Sequence, residues 1–145
     1  MKLITIAILA FTILEVLNVI ILYFQPQSKK GNGIGVFKAF EKSKETPEVH
    51  ALVKYLINWV AGTKLIFIAL LIIIMIRADE TTQLLSVIAL ILSIMTFYWR
   101  LYPAIKKMDA NNELDPKGYS KTLGFMILGF IIIFMAALLI TYLRL

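Results

Sequence analysis

Long apolar runs dominate this chain and are separated by two polar connections. The runs cover residues 3–24, 55–76, 82–102 and 122–143. Each run has about the 20 residues that an α-helix needs to cross roughly 30 Å of hydrocarbon. The connections cover about residues 25–46 and 106–116. This pattern predicts an all-α integral membrane protein, folded as one membrane domain in an antiparallel bundle of four transmembrane helices.

Composition supports this class and removes several others. Hydrophobic residues make up 60% of the 145 positions and charged residues only 17%, which is more apolar surface than a soluble domain of this size buries. The absence of cysteine excludes disulfides, thiol catalysis and thiolate metal sites. The first apolar run is longer than the core of a signal peptide and no small-residue cleavage site follows it, so we expect it to remain as a span.

Positive charge is concentrated on one side of the predicted membrane. Lys2, Arg77 and Arg144 flank one set of helix ends, and Lys64 lies inside the second run. The other Lys and Arg residues lie in or beside the two long connections: Lys29, Lys30, Lys38, Lys42, Lys44, Lys54, Arg100, Lys106, Lys107, Lys117 and Lys121. The positive-inside rule therefore predicts that both connections lie in the cytoplasm and both termini outside. We expect the plasma membrane as the location. The net charge of +6 then favours anionic lipids as partners, and not nucleic acid.

Two opposite charges are predicted at the same depth of the bilayer. Glu15 is the only charged residue in the first run, and Lys64 is the only one within the second. Each lies twelve positions from the outer end of its run, which is about 18 Å at 1.5 Å per residue. Because an isolated charge in hydrocarbon is costly, we expect the two side chains to face the bundle and meet. The pair is either a structural contact that fixes helix register or a functional site.

Polar side chains on the first two spans extend this predicted site. Thr5, Thr12, Glu15 and Asn18 share one face of the first helix, which we expect to point inward. On the second span, Asn58 is the second polar liner that we expect near the charges. The resulting candidate site for a proton, ion or solute consists of Glu15, Lys64, Asn18 and Asn58.

The third span carries a seam of small and polar residues and a basic, aromatic end. The seam is predicted to pack against another helix. It comprises Ser86, Ala89, Ser93, Thr96, Arg100 and Pro103. Arg100 is either an anchor within an aromatic belt at the membrane surface or a ligand for a lipid phosphate or other anion. In the second case Tyr98, Lys106 and Lys107 are the residues expected to bind with it.

The connections carry further local signals. Ile34, Phe37 and Phe40 recur every three residues beside lysines, which is typical of a short amphipathic helix on an anionic membrane surface. Thr46 and Pro47 predict the start of a helix that projects from the membrane. In the same way, Asp115 is expected to cap a helix that begins at Pro116 in the second connection. The Gly-rich stretch 31–35 of the first connection predicts a turn.

No pattern of metal ligands or catalytic residues accompanies these features. His50 is the only histidine, and the acidic residues of the second connection do not have the spacing of a calcium loop. We therefore expect no metal and no cofactor. An enzyme acting on lipids would have to rely on Glu15, Lys64, Tyr98 and Arg100, which is little support.

The stretch 13–16, Ile-Leu-Glu-Val, is similar to the first helix of small multidrug resistance transporters. The similarity covers these four residues alone. The later spans lack the aromatic and glycine-rich signatures of that family, and the first connection is far longer, so the chain is not assigned to it.

The sequence supports two functional hypotheses of different kinds. The first is transport or conduction of a small ion or solute, with Glu15 as a proton or cation site. The second is a non-catalytic adaptor or accessory subunit that binds a partner protein or anionic lipid through its cytoplasmic lysines. Four helices enclose little space, so a homo-oligomer or a larger membrane complex is expected in either case.

Overall fold

The computed structural model describes residues 2–143, and this part of the chain is all-helical. The only β-type pairing there is a single bridge between Phe37 and Leu114. The elements are helix α1 (Leu3–Phe24), a 3-10 turn (Ile34–Val36), and helices α2 (Lys38–Ser43), α3 (Pro47–Arg77), α4 (Glu80–Ala110) and α5 (Tyr119–Leu143). Four of them, α1, α3, α4 and α5, are long and apolar enough to cross a membrane, as predicted. Arg144, one of the cations in the charge argument, lies outside the described residues.

Two helices extend far beyond their apolar runs. Helix α3 begins at Pro47, as the Thr46–Pro47 signal predicts. Helix α4 continues through Pro103 to Ala110, so the first part of the predicted connection 106–116 is helical. Apolar length measures the part of a helix that hydrocarbon would cover, whereas backbone hydrogen bonds continue through charged residues outside it.

The predicted start of the last helix is wrong. Helix α5 begins at Tyr119 and not at Pro116, and Asp115 does not cap it. The carboxylate of Asp109, at the end of α4, takes that role because it accepts from the backbone N–H groups of Gly118 (2.8 Å) and Ser120 (3.1 Å). It also accepts from the Ser120 hydroxyl at 2.6 Å. One buried acid thus ends α4 and begins α5, which joins the two helices tightly.

Helix α1 contacts the other three long helices, and the ring of its Phe11 packs against aromatic rings of α3 and α5. Phe11 makes edge-to-face contacts with Phe67 of α3 and with Phe130 and Phe134 of α5, at centroid distances of 6.1, 5.3 and 5.3 Å. Around it, all four long helices share one buried apolar cluster: Ile4, Ala7, Ile8, Phe11, Leu71, Val87, Leu90, Ile91, Phe134 and Ala137. This half of the bundle is closely packed.

The other half of the bundle divides into two separate clusters. One joins α1, α2 and α3 through Val19, Leu22, Phe40, Ile57, Ala61 and Ile68. The second joins α4, α5 and the 3-10 turn through Val36, Phe97, Ile105, Leu114, Tyr119 and Leu123. Helix α3 touches α4 over few residues, because α4 packs mainly on α5. Space therefore remains between the two helix pairs.

The two long connections meet at one end of the bundle. The N–H of Lys38 donates to the carbonyl of Glu113 (2.9 Å), and the N–H of Asp115 donates to that of Val36 (2.8 Å). Lys29 also pairs with Asp115. The hydrogen bond from the Lys29 ammonium, with the charge of that ammonium, holds the pKa of the Asp115 carboxyl below its usual range. This contribution to stability is present above the ordinary carboxyl pKa and is lost as pH falls through the lowered value.

The opposite end is closed by contacts between α1 and the α3–α4 turn. Lys2 pairs with Glu80, and the Thr5 hydroxyl donates to the side-chain oxygen of Gln83 at 2.9 Å. Asp79 caps α4 by accepting from the N–H of Thr82 at 2.9 Å. The hydrogen bonds from Thr82 lower the pKa of Asp79. Sequence reasoning did not identify Gln83, which is buried here.

Two predicted surfaces are different from expectation. The apolar residues of the first connection do not face a membrane surface: Phe40 is buried against α1 and α3, while Phe37 packs on the cluster of α4 and α5. These rings fill the loop end of the divided bundle, because burying them there removes apolar surface from solvent.

The α4 seam also differs from expectation. It does not pack on another helix, since Ala89, Ser93 and Thr96 are exposed. The face of α4 that carries Val87, Leu90 and Phe97 is buried in its place.

Candidate functional site

The two opposite charges within the apolar helices α1 and α3 form a direct ion pair. The Nζ atom of Lys64 on α3 lies 2.6 Å from Oε2 of Glu15 on α1. The same ammonium donates to Oδ1 of Asn18 at 2.8 Å. Glu15 and Asn18 are three residues apart, so they lie on one face of α1 and reach the same group on α3. The contact that depth matching predicts is confirmed.

The pair is largely sheltered but not closed off. The side chains of Lys64 and Glu15 are 25% and 18% exposed, respectively. An ammonium has three donors, and two of those of Lys64 are used by Glu15 and Asn18. Within residues 2–143, Oε1 of Glu15 accepts no hydrogen bond and is not enclosed. The carboxylate therefore has one oxygen available to a proton or a cationic or hydrogen-bond-donating ligand.

Asn18 connects the ion pair to the first connection. Its Nδ2 atom donates to the carbonyl of Gly31 at 2.6 Å and to that of Asn32 at 3.3 Å. The side chain of Asn32 in turn accepts from the hydroxyl of Tyr119, at the start of α5, at 3.2 Å. A continuous set of polar contacts thus runs from Glu15 through Lys64 and Asn18 to the loop, and from the loop to α5.

A first cavity reaches the pair between α3 and α4. This α3–α4 cavity has a volume of about 570 Å³. Phe11 and Phe67 form its apolar wall, Ser86, Ala89 and Ser93 of the α4 seam line the opposite side, and Glu15 and Lys64 supply its charges. The small side chains of the seam leave this space open beside Leu90 and Ile94 of the same helix.

A second cavity reaches the same pair between α1 and α5. This α1–α5 cavity has a volume of about 420 Å³. Its lining includes Glu15, Lys64, Asn18, Asn32, Gly129 and Phe130. A Cβ atom added at Gly129 would meet nothing within 4 Å, so this glycine contributes open space. Since Glu15 and Lys64 line both cavities, the ion pair stands between them.

The other predicted site residues are elsewhere. Asn58 is exposed and, within the described chain, makes no side-chain hydrogen bond. It lies six residues from Lys64, which is about 120° around the helix, and so faces away from α1. It does not join the ion pair.

The predicted anion site does not come together as a pocket. Arg100 is exposed, with its guanidinium 4.9 Å from the ring centroid of the neighbouring Trp99. The hydroxyl of Tyr98 donates inward to the carbonyl of Gly124 at 2.6 Å. Lys106 and Lys107 are exposed on the extended end of α4. These cations are available at the surface without forming a shaped site.

Three polar members of the site were not predicted: Gly31, Asn32 and Tyr119. Gly31 and Asn32 form the centre of a turn in which both have positive φ, 62° and 58°. The turn is closed by the N–H of Gly33, which donates to the carbonyl of Lys30 at 3.2 Å. The adjacent glycines and asparagine are the only sequence signal for it, and they indicate a turn without indicating where it lies.

The loop that carries this turn depends on close backbone approach at Gly35. A Cβ atom there would lie 1.8 Å from the carbonyl oxygen of Gln27. We therefore expect Gly35→Ala to open the loop and to accelerate tryptic cleavage at the Lys29–Lys30 pair by about tenfold or more, equivalent to about 1.4 kcal/mol. Gly62→Ala is the matched control, because its Cβ would meet only the Tyr23 hydroxyl at 3.6 Å. Equal cleavage rates for both variants would contradict this packing.

Within the described residues, no group of three or more His, Asp or Glu side chains is placed to hold a metal ion. Comparison of the chain with protein-family models, with curated proteins and with solved structures finds no match. The functional argument therefore depends on the geometry of the ion pair and its two cavities.

Proposed function

We propose that this protein transports or conducts a small ion or solute across a membrane, with Glu15 as the proton or cation site. The proposal places the four long helices as an antiparallel transmembrane bundle. The observation that carries it is the position of the Glu15–Lys64 pair between the α3–α4 cavity and the α1–α5 cavity. A purely structural pair needs no open space on two sides, whereas a transport site must be reached from both.

The chemistry of the pair suits exchange of a proton or cation. Oε1 of Glu15 is the free acceptor, and a ligand binding there shares the carboxylate with Lys64. When Glu15 is neutralised, Lys64 keeps Asn18 as an acceptor, so its ammonium is not left without any partner. Lys64 is thus a counter-charge that pairs with the Glu15 carboxylate when no ligand is bound and is displaced from it when a proton or cation binds.

The orientation follows from the charge distribution. The two connections meet at one end of the bundle, and most lysines lie there. By the positive-inside rule we place that end in the cytoplasm, with the termini outside, in the plasma membrane. The exposed apolar faces of α3, α4 and α5 face lipid or further subunits of an oligomer in this arrangement.

A second candidate function is that of an adaptor that binds anionic lipid or a partner protein. It is favoured by the exposure of the cations at the loop end: Lys30, Lys42, Lys106, Lys107, Lys117 and Lys121. Exposed lysines near a membrane attract anionic headgroups by about 1 kcal/mol each. The two cavities have no role in this function, so flux measurements separate the two candidates.

The test is flux in proteoliposomes. Purified protein is reconstituted into liposomes that contain a pH dye. A potassium diffusion potential is imposed, and the entry of protons or cations into the liposomes is recorded. The wild type should give flux, and Glu15→Gln, which keeps the shape but not the charge, should reduce it by about a hundredfold or more, the scale for loss of a group that moves protons.

Glu48→Gln is the matched control, because Glu48 is an exposed carboxylate near the start of α3. It should leave flux unchanged. Full flux in folded Glu15→Gln would remove this carboxylate from the mechanism. Absence of flux in the wild type, with binding to anionic vesicles that is lost on replacing Lys106 and Lys107 by glutamine, would favour the adaptor.

A further inference from the structure

The first connection folds back into the bundle beside α1. Asn18, which binds the carbonyls of Gly31 and Asn32, lies six residues before the end of α1 at Phe24. At 1.5 Å per residue, the turn therefore lies about 9 Å inside the end of the helix. Ile21, about 4.5 Å inside the same end, also lies against the turn, because a Cβ atom at Gly31 would lie 2.2 Å from its Cδ1 atom. The connection re-enters the depth range of the apolar helix.

Non-helical backbone at this depth has strict requirements. In a membrane it persists only where protein covers it or where it lines a space filled with water. Asn18 satisfies two carbonyls of the turn, yet Gly31 and Asn32 remain exposed, and both line the α1–α5 cavity. Water solvates an exposed polar turn better than hydrocarbon does, so water is the better occupant of that cavity.

The turn is fastened to both helices that flank the cavity. On one side Asn18 of α1 holds its backbone, and on the other Tyr119 of α5 holds the Asn32 side chain. The turn therefore bridges the gap between α1 and α5 at the loop end. Any solute that moves from the loop end to Glu15 through this cavity passes the turn.

We propose that the α1–α5 cavity is the water-filled route from the loop end to the ion pair, and that the Gly31–Asn32 turn is its latch. Its wall is largely apolar, but the charges of Glu15 and Lys64 and the side-chain amides of Asn18 and Asn32 give it a polar track that fits water, a hydrated proton or a small monovalent cation. Asn18 and Asn32 are positioning residues that hold the latch closed. The route serves the proposed transport site and in that respect rests on the proposed function.

The latch can be tested without measuring transport, because the chain contains no native cysteine. Gly129→Cys places a single thiol in the α1–α5 cavity, and Ile132→Cys places one on the exposed apolar face of the same helix. In lipid nanodiscs, both are treated with a membrane-impermeant methanethiosulfonate that carries a trimethylammonium group. Because the reacting species is the thiolate, a thiol in contact with water reacts far faster than one in lipid.

We expect Gly129→Cys to react faster than Ile132→Cys. Adding Asn32→Gly, which keeps the positive φ but removes the bond to Tyr119, should raise the Gly129→Cys rate by about tenfold, equivalent to about 1.4 kcal/mol of latch stability. Asn18→Leu and Tyr119→Phe, added one at a time, should raise the same rate, and none of the three should change that of Ile132→Cys. Normal helical circular dichroism and a single elution peak identify the variants that fold.

Equal rates for the two thiols would show that the cavity is not a water route. A Gly129→Cys rate that none of the folded latch variants changes would show that the turn does not control it. Either result overturns the inference while leaving flux through the pair intact. Conversely, the expected labelling in a protein without flux would support the water route and contradict the proposed transport.

Discussion

Replacing Lys64 with methionine should destabilise the folded bundle by about 3 to 5 kcal/mol, the usual cost of removing one partner from a buried ion pair. Methionine matches lysine in length and leaves Glu15 sheltered without its cation. The carboxylate can then ionise only at the cost of desolvation, and Asn18 loses the donor that orients its amide. Because Lys64 is only 25% exposed, solvent does little to compensate.

The double variant makes this prediction specific. Glu15→Gln combined with Lys64→Met removes both charges and should recover most of the lost stability, since neutral residues of similar shape replace buried pairs at little cost. The measurement is unfolding by sodium dodecyl sulfate in mixed micelles, followed by circular dichroism and analysed as a double-mutant cycle. Costs that add within about 0.5 kcal/mol would contradict a coupled pair.

Apolar length was sufficient to predict the four long helices, because an apolar run of that length satisfies its own backbone hydrogen bonds as a helix. It was insufficient for their ends. Helix α4 continues to Ala110 through charged residues. Helix α5 begins only at Tyr119, because Asp109 of the neighbouring helix caps it there. A cap supplied by a residue ten positions away has no local sequence signature.

The contact between Glu15 and Lys64 was predictable because charges in an apolar environment have few alternatives to each other. The rotation of α3 was less predictable. Its polar residues do not share one face, so periodicity gave no reason to prefer the face of Lys64 over that of Asn58. In the structure the first lies against α1 and the second is exposed.

The position of the first connection could not be predicted from its own residues. Its lysines and spaced apolar residues resemble a segment that lies on a membrane, but Phe37 and Phe40 enter the two separate clusters of the divided bundle. This division into two clusters arises from the packing of all four long helices, so the sequence of one segment does not predict it. The return of the Gly31–Asn32 turn to Asn18 depends on it as well.

The most direct test of the central claim, that solute reaches Glu15 and Lys64 through two cavities, is to fill each cavity without touching the pair. Ala89→Phe places a ring in the α3–α4 cavity, and Gly129→Phe places one in the α1–α5 cavity. Leu92→Phe and Ile132→Phe are the controls, since each introduces the same ring on an exposed face of the same helix, outside both cavities.

Flux in proteoliposomes should fall by about tenfold or more in each cavity variant, because a blocked route raises the barrier by at least about 1.4 kcal/mol. Both control variants should retain wild-type flux. Undiminished flux in folded Ala89→Phe and Gly129→Phe proteins would contradict the claim that these cavities lead to the site.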